Sequence, residues 1–322
     1  TGGAGGGGGE AAPSVGAVAA SAPRAAGGLA APPGWRPPGE EEIPAGPLGA
    51  SIRRGLALVR AMPESLPGHA PGRITCTNCH LDDGRNATAA PFVTVHARYP
   101  KYHPRTGAVV TMIDRVNYCV TRSLAGTRLP PTSREMADIL AYLAFLSRGL
   151  PVGLTSSPPG LEGIPTIPSP VAGVAYPGDS ARGVRVYAAE CASCHGADGG
   201  GRRAGGGGAA APALWGGRSY AIGASMARQE RAAAFIWHNM PRGRPRSLAV
   251  QDAWDVAAFV VAQPRPDSPA KGVDWPAGGA PGDVPYATRG HLAFRPPARL
   301  LPRANAAGAV VSAPARSDRA TR

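Results

Sequence analysis

The sequence lacks long apolar runs. The longest, residues 139–146 and 256–262, fall far short of the roughly 18 consecutive apolar residues that a transmembrane helix needs. The chain is also poor in lysine, which occurs only at Lys101 and Lys271, and in aromatic residues, which make up 6% of its 322 residues. The sequence therefore predicts no transmembrane helix, and it has no lysine-rich tract of the kind that follows a phosphate backbone.

The net charge is nevertheless strongly positive. Lys and Arg together number 34 and Asp and Glu number 21, which gives a formal net charge of +13 at pH 7. The arginines are scattered along the chain and form no basic run of about five to eight residues. Because a positive field attracts anions of many kinds, we expect small anions or an acidic redox protein as partners, and no nucleic acid.

Glycine and proline divide the chain into segments. They number 45 and 36, about a quarter of all residues, a level typical of sequences with low-complexity regions. The chain starts at Thr1 with neither Met nor an apolar signal segment, so we interpret it as a mature product without its targeting segment. The predicted order is a flexible Gly/Ala/Pro-rich leader (1–47), a first domain (48–150), a Pro-rich linker (151–177), a second domain (178–290) and a disordered basic tail (291–322).

Both domains contain helical patterns. Apolar residues at helical spacing predict helices over residues 110–124, 132–148, 180–190 and 249–262. A capping box formed by Thr132 and Glu135 would start the second of these helices. Few strand patterns occur, so the predicted fold class is all-α.

Four of the five cysteines belong to two copies of one motif, Cys-x-x-Cys-His. This is the c-type haem attachment sequence, in which two thiols form thioethers to the porphyrin and the adjacent imidazole binds the iron. A zinc ribbon would need its second cysteine pair roughly 15 to 20 residues after the first. A redox dithiol would need a βαβ context. The two copies are Cys76, Cys79 and His80, and Cys191, Cys194 and His195.

The sequence around the motifs is duplicated. A similar helical segment, 138–142 in one half and 255–259 in the other, follows 58 residues after His80 and 60 residues after His195. We therefore predict two small helical domains, each with one covalently bound haem c. Because haem of this type is attached outside the cytoplasm, the predicted location is a bacterial periplasm.

The sixth ligand of each iron remains open on the residues alone. Cys119 falls on the predicted helix 110–124 in one line with Arg115 and Arg122, whose charges would stabilise a thiolate. Met240 follows His195 by 45 residues, a spacing comparable to the 39 residues between His80 and Cys119, and is favoured for the second haem. The other candidates are Met112, His96 and His103 for the first haem and Met226 and His238 for the second.

Six short segments carry a family resemblance. They are residues 75–81 (TCTNCHL), 99–107, 115–123 (RVNYCVTRS), 214–216 (LWG), 235–241 and 274–286. Over residues of about 48 to 290, the chain resembles the dihaem thiosulfate dehydrogenases of the tetrathionate-forming type, which are periplasmic c-type cytochromes. The resemblance implies two tandem cytochrome c domains joined by the Pro-rich linker.

The resemblance also implies the iron ligands. His80 and Cys119 would bind the first haem, whose pocket would be the active site, and His195 and Met240 would bind the second. The residue before the methionine is a lysine in some relatives and can compete for the iron. Here it is Asn239, so no exchange between lysine and methionine is expected at the second haem.

The remaining site residues are cationic or polar. The resemblance implies that Arg105 and Arg115 bind an anion and that Ser123 lies beside the catalytic Cys119. Arg122 is a third candidate, because it shares the helical line of Arg115 and Cys119. Guanidinium groups suit this role, since their paired N–H groups match sulfonate oxygens.

The implied reaction is the oxidation of two thiosulfate ions to tetrathionate, or the reverse reduction. Electrons would pass from the first haem to the second and then to a soluble cytochrome c or similar acceptor. One alternative is a dihaem electron carrier without a substrate site. A second alternative is a subunit of a multienzyme sulfur-oxidising complex, which acts on sulfur bound to a carrier protein.

Overall fold

The computed structural model describes residues 1–2, 30–154, 157–158, 160–161, 163–202 and 211–292, and these form two helical domains in tandem. Most of the predicted leader and tail, residues 3–29 and 293–322, lies outside them. The first domain contains α1 (Gly46–Arg60), α2 (Met62–Ser65), α3 (Leu81–Gly84), α4 (Met112–Arg122) and α5 (Arg134–Leu146). The second contains α6 (Ser180–Glu190), α7 (Ala192–His195), α8 (Gln229–Asn239) and α9 (Val250–Ala262).

The same helix crossing occurs in both domains. In the first, α1 packs closely on α5 because Gly55 lies against the Asp138 carbonyl, where a Cβ atom would overlap the oxygen. In the second, α6 packs on α9 with Gly183 against the Asp255 carbonyl in the same way. Glycine is needed at both positions because only a residue without a side chain allows the backbones to approach this closely.

An ion pair is repeated beside each crossing. The Arg54 guanidinium donates to both carboxylate oxygens of Asp138, at 2.7 and 2.8 Å. The Arg182 guanidinium donates to both oxygens of Asp255, at 2.7 and 3.0 Å. Each carboxylate is buried, so the two-point pairing compensates for its lost hydration. The duplication predicted from the sequence is confirmed at the level of individual contacts.

The predicted helices are present with small differences at their ends. The helix Ser180–Glu190 has the predicted bounds, and α4, α5 and α9 are one to two residues shorter at one or both ends than predicted. The predicted capping box at Thr132 and Glu135 is wrong. Ser133 caps α5 instead, because its hydroxyl accepts a hydrogen bond from the Met136 amide at 3.2 Å.

A short antiparallel hairpin is the one departure from the predicted all-α class within the described residues. Strand β1 (Lys101–His103) pairs with β2 (Ala108–Val110), with Tyr102 opposite Val109. Tyr102 is exposed, and its strand neighbours Lys101 and His103 are half-buried. Because strand side chains alternate, Lys101 and His103 lie on one face of the hairpin.

Part of the predicted leader contacts the first domain. The Trp35 indole donates to the Arg148 carbonyl at 2.8 Å, the Glu42 carboxylate pairs with the Arg148 guanidinium at 2.8 Å, and Ile43 is buried.

The segment between α5 and α6 contains neither helix nor strand among its described residues. It contacts the second domain where the Trp254 indole donates to the Pro168 carbonyl at 3.0 Å.

No helix in the described part of the chain is long and apolar enough to cross a membrane.

The two domains contact one another directly. The Ala221 amide donates to the Ser123 carbonyl at 2.9 Å, and the Thr88 hydroxyl donates to the Asn239 side chain at 2.8 Å. Leu81 of the first domain packs against a small apolar cluster that includes Phe235 of the second. The fold therefore brings the two attachment motifs onto adjoining domains.

Candidate functional site

Each attachment motif forms one helical turn. In the first, the His80 amide donates to the Cys76 carbonyl at 3.0 Å. The Thr75 amide, just before the motif, donates to the side-chain oxygen of Asn78 at 2.8 Å. In the second, the His195 amide donates to the Cys191 carbonyl at 2.9 Å. A turn of this kind places two thiols and an imidazole beside each other, as covalent haem attachment requires. None of the five cysteines forms a disulfide.

The two motif histidines are oriented for iron binding. The Nδ1 atom of His80 donates to the Ala90 carbonyl at 2.5 Å, and Nδ1 of His195 donates to the Pro212 carbonyl at 2.9 Å. A carbonyl can only accept, so each Nδ1 carries a proton, which leaves Nε2 as the ring atom available to a metal ion. Such a bond is the usual partner of a metal-binding imidazole. The residues present therefore fit two c-type haems.

Cys119 lies on α4 next to the first motif. The Arg115 guanidinium donates to its sulfur at 3.0 Å. Burial alone would raise the pKa of this thiol, but the charge of Arg115 and a hydrogen bond with His80 outweigh it and lower the pKa to about 6. The lowered pKa favours the thiolate form of Cys119, and its sulfur lies close to the imidazole proposed to bind the iron.

The attachment cysteines of the first motif border the same site. Burial, with a smaller contribution from the charge of the nearby Cys119, raises the pKa of Cys76 and of Cys79 to about 12. Three sulfurs and the His80 imidazole thus converge within one half-buried region of the first domain. Sequence spacing alone could not show this, because α4 follows the motif after a hairpin and a loop.

The hairpin adds cationic residues to this region. His103 stacks on the Tyr118 ring with centroids 6.2 Å apart. Its pKa is lowered to about 4, first by burial and then by the positive charges of Arg115, Lys101, Arg105 and Arg122. His103 was a candidate iron ligand on sequence grounds, and the structure places it among the cations beside Cys119. Lys101 was missed, and the only sequence signal for it is its alternation with Tyr102 and His103.

Arg105 and Arg122 share one buried carboxylate. The Arg105 guanidinium donates to Asp274 at 2.8 Å and to the Tyr286 hydroxyl at 2.5 Å. The Arg122 guanidinium donates to the other oxygen of Asp274 at 2.5 Å and lies 4.4 Å above the Tyr118 ring. Asp274 was not predicted from the sequence. The pair carries two positive charges against one negative charge, so it remains cationic.

Three further residues were predicted for the first site. Ser123 follows α4, its amide donates to the Cys119 carbonyl at 2.8 Å, and its carbonyl contacts the second domain. Met112 is buried in the first turn of α4, and His96 lies in a short 3₁₀ turn. The predicted catalytic set therefore occupies α4, the residue directly after it, and the adjoining hairpin turn that holds Arg105.

The residues predicted for the second site lie on α7 and at the end of α8. Met240 follows α8 directly, and its amide donates to the Ile236 carbonyl at 2.8 Å. Its side chain packs with Met226 on the apolar cluster of Leu81, Ala89 and Phe235, at the boundary between the domains. The assignment of Met240 as the second iron ligand stays a prediction, and His238 points to a separate contact with Arg246 at 3.4 Å.

Two family models match the chain. The model described as SoxA/TsdA, cytochrome c domain, matches residues 69–152, and the cytochrome c model matches residues 180–263. Thiosulfate dehydrogenase of Allochromatium vinosum is 40% identical over 228 residues, which cover 70% of this chain and 82% of that protein. The chain belongs to the thiosulfate dehydrogenase family.

Further family members give the same result. Thiosulfate dehydrogenase of Psychrobacter arcticus is 36% identical over 247 residues, which cover 77% of this chain and 73% of that protein. The solved structure of thiosulfate dehydrogenase (TsdBA) from Marichromatium purpuratum in its as-isolated form matches with a TM-score of 0.68 at 33% identity, over 78% of this chain. The chain spans 55% of the length of the chain in that structure.

Membership of the thiosulfate dehydrogenase family confirms three predictions. The fold is a tandem of two c-type cytochrome domains, the cofactors are two covalently bound haem c groups, and the protein is an oxidoreductase. The roles of the individual site residues remain predictions from the sequence and from the geometry described above.

Proposed function

We propose that this protein oxidises two thiosulfate ions to tetrathionate at the Cys119 side of the first domain. The observation that carries the proposal is the pairing of the Cys119 thiolate with Arg115 at 3.0 Å, in a half-buried region where several cations converge. A sulfur nucleophile in a positive field suits a dianionic substrate that must be brought close to a second dianion. The names of its relatives support the choice of substrate.

The arginines and Cys119 have different roles in this reaction. The cationic groups of Arg105, Arg115 and Arg122 bind the sulfonates and reduce the repulsion between two dianions. The Cys119 sulfur forms a bond to the outer sulfur of one thiosulfate, with the release of two electrons. The second thiosulfate attacks that sulfur, tetrathionate leaves, and the Cys119 thiolate is restored. The balance is two S₂O₃²⁻ giving S₄O₆²⁻ and two electrons.

We propose that the second domain passes the electrons onward. The two haem c groups would supply one-electron acceptors. His80 and Cys119 would hold the first, His195 and Met240 would hold the second, and a methionine ligand would favour the higher potential at the second site. The final acceptor would be a soluble cytochrome c or a similar protein in the bacterial periplasm. The same residues serve tetrathionate reduction in reverse, and Ser123 donates a minor hydrogen bond in either direction.

The decisive experiment is a turnover assay of the purified dihaem protein with thiosulfate and ferricyanide. We expect thiosulfate-dependent reduction of ferricyanide with one tetrathionate formed for every two thiosulfates consumed. Low-temperature electron paramagnetic resonance should show a thiolate-ligated low-spin iron. Absence of turnover would favour the plain electron carrier. Activity only after addition of a sulfur-carrier protein would favour the multienzyme subunit.

A further inference from the structure

Three cationic side chains of the first domain have no carboxylate partner among the residues that the structure describes. Arg105 and Arg122 are paired with Asp274, but no carboxylate among the described residues forms an ion pair with Arg98, Lys101 or Arg115. The Arg98 guanidinium donates to the Ser157 hydroxyl at 2.9 Å instead. Arg115 has the Cys119 sulfur as its partner, whereas Arg98 and Lys101 have no anionic partner among the described residues. A partly buried cation without such a partner is unfavourable unless an anion binds there.

Of these three cationic residues, Lys101 is the one that lies on the hairpin. Its ammonium nitrogen lies 5.2 Å from the centre of the Tyr99 ring, and Tyr99 forms a side-chain hydrogen bond with Arg115, which in turn donates to Cys119. Tyr99 thus connects Lys101 to the sulfur site. Lys101 also shares the inner face of β1 with His103, which stacks on Tyr118 beside Cys119.

The electrostatic surroundings agree with this placement. Burial lowers the pKa of Lys101, and the nearby charges of Arg98 and Arg115 lower it further. No attraction from an acidic group acts in the opposite direction. The surroundings of Lys101 therefore disfavour its charged form, and a bound anion would favour it.

We propose that Lys101 is a further binding residue of the Cys119 site and that its ammonium group contacts a sulfonate of the substrate. The inference rests on the proposed thiosulfate oxidation and adds a residue to it. Arg115 then serves the reacting end near the sulfur, and Lys101 holds the anionic end farther along the hairpin. The substrate class that fits is a small sulfur oxyanion with at least one sulfonate group.

The chain offers a matched control, because its only other lysine is Lys271, which pairs with the exposed Asp267 at 2.5 Å. Lys101→Gln and Lys271→Gln remove the same charge from the whole molecule. We expect Lys101→Gln to raise KM for thiosulfate about 10- to 150-fold, the range for a lost charge-assisted contact, with a smaller change in kcat. Lys101→Arg should restore most of the affinity, and Lys271→Gln should behave as wild type.

A thermal unfolding measurement on the oxidised dihaem protein gives a readout without turnover. Lys101→Gln should raise the unfolding midpoint of the anion-free protein, since it removes a cation that repels Arg98 and Arg115. It should also lose most of the stabilisation that added tetrathionate gives to the wild type. Lys271→Gln should show neither effect.

The outcomes separate the inference from the proposed function. If the wild type oxidises thiosulfate and Lys101→Gln matches Lys271→Gln in KM and in tetrathionate stabilisation, the role of Lys101 is overturned while the function stands. If the wild type neither oxidises thiosulfate nor is stabilised by tetrathionate, the proposed function itself fails, and the inference fails with it.

Discussion

At the residue scale, Cys119 has two properties that a structural cysteine would not need. It accepts a hydrogen bond from Arg115, and its pKa falls to about 6 although the surrounding burial favours the neutral thiol. A small apolar residue would fill the same space without a charged neighbour. The arginine is therefore explained by a thiolate that binds a metal or attacks a sulfur atom.

Replacing Cys119 with Ala should leave both haems attached and reduce thiosulfate turnover by several orders of magnitude, because the sulfur nucleophile is lost. Haem content from the pyridine haemochrome spectrum provides the control, since the four attachment cysteines are untouched. The thiolate signal in electron paramagnetic resonance should disappear together with the activity. A rate within tenfold of wild type would refute the sulfur mechanism.

Met240 and Met226 form a matched pair, because both are partly buried on the same apolar cluster. Met240→Leu should lower the reduction potential of the second haem, since the thioether ligand that raises it is lost. Met226→Leu conserves volume and should leave both potentials near wild type. Spectroelectrochemical titration measures both. A lowered potential in Met226→Leu and not in Met240→Leu would transfer the ligand assignment to Met226.

Sequence reasoning located the residues whose partners are close along the chain. The residues of each attachment motif lie within a few positions of one another, and so do Arg115 and Cys119. Their spacing along the chain was therefore sufficient to predict that they lie side by side. Asp274 could not be found in this way, because it lies 169 residues from Arg105 and 152 residues from Arg122. A single sequence contains no signal for a pair that forms only when two domains meet.

At the element scale, the repeated helix crossing depends on two glycines. Gly55 and Gly183 lie where α1 meets α5 and where α6 meets α9, and each faces the carbonyl of an aspartate. The same aspartate side chains accept the paired arginines Arg54 and Arg182. Close backbone approach and ion pairing are thus combined at the same residue of each domain.

Gly55→Ala and Gly183→Ala should each destabilise their domain by about 1 to 3 kcal/mol or more, because the added methyl group would overlap a backbone carbonyl and separate the helices. Gly217→Ala is the control, since no atom lies within 4 Å of the position that its methyl group would take and its φ is not positive. Urea unfolding of the dihaem protein followed by circular dichroism measures the difference. Equal stability of all three variants would show that the crossing tolerates a wider separation.

The helices were predictable because they are long enough for apolar spacing to repeat. The bounds of α6 were predicted correctly, and those of α4, α5 and α9 differed by one or two residues. The hairpin was missed because β1 and β2 have three residues each, too few for an alternating pattern to stand out. This element carries Lys101 and His103 to the site.

At the scale of the whole molecule, Asp274 joins the domains beside the proposed active site. The carboxylate is fully buried and forms ion pairs with Arg105 and Arg122. It also accepts a hydrogen bond from the Tyr286 hydroxyl at 2.8 Å. The two arginines come from the first domain, while Asp274 and Tyr286 follow the last long helix of the second domain. One side chain therefore contributes both to domain association and to the orientation of two candidate anion-binding arginines.

The pKa of Asp274 shows when this association is strongest. Burial would raise it, but the hydrogen bonds and charges of Arg122 and Arg105, with the Tyr286 hydroxyl, lower it below the ordinary value of 3.8. A carboxyl group with a lowered pKa stabilises the folded state above its unfolded pKa and loses that contribution as the pH falls through the folded value. The stabilisation is therefore complete at neutral pH and decreases below about pH 4.

Asp274→Asn should consequently cost about 3 to 5 kcal/mol of unfolding free energy at pH 7, the range for a buried pair that loses one partner. Asp267→Asn is the control, because Asp267 is 66% exposed and its pair with Lys271 contributes less than about 1 kcal/mol. In urea titrations, the gap in unfolding free energy between wild type and Asp274→Asn should stay constant from pH 7 to about pH 5. It should narrow below about pH 4, because protons then bind the carboxyl group in the unfolded wild-type chain and, at still lower pH, in the folded protein. A gap that stays the same at acid pH would mean that the shape of the side chain, and not its charge, holds Arg105 and Arg122 and joins the two domains.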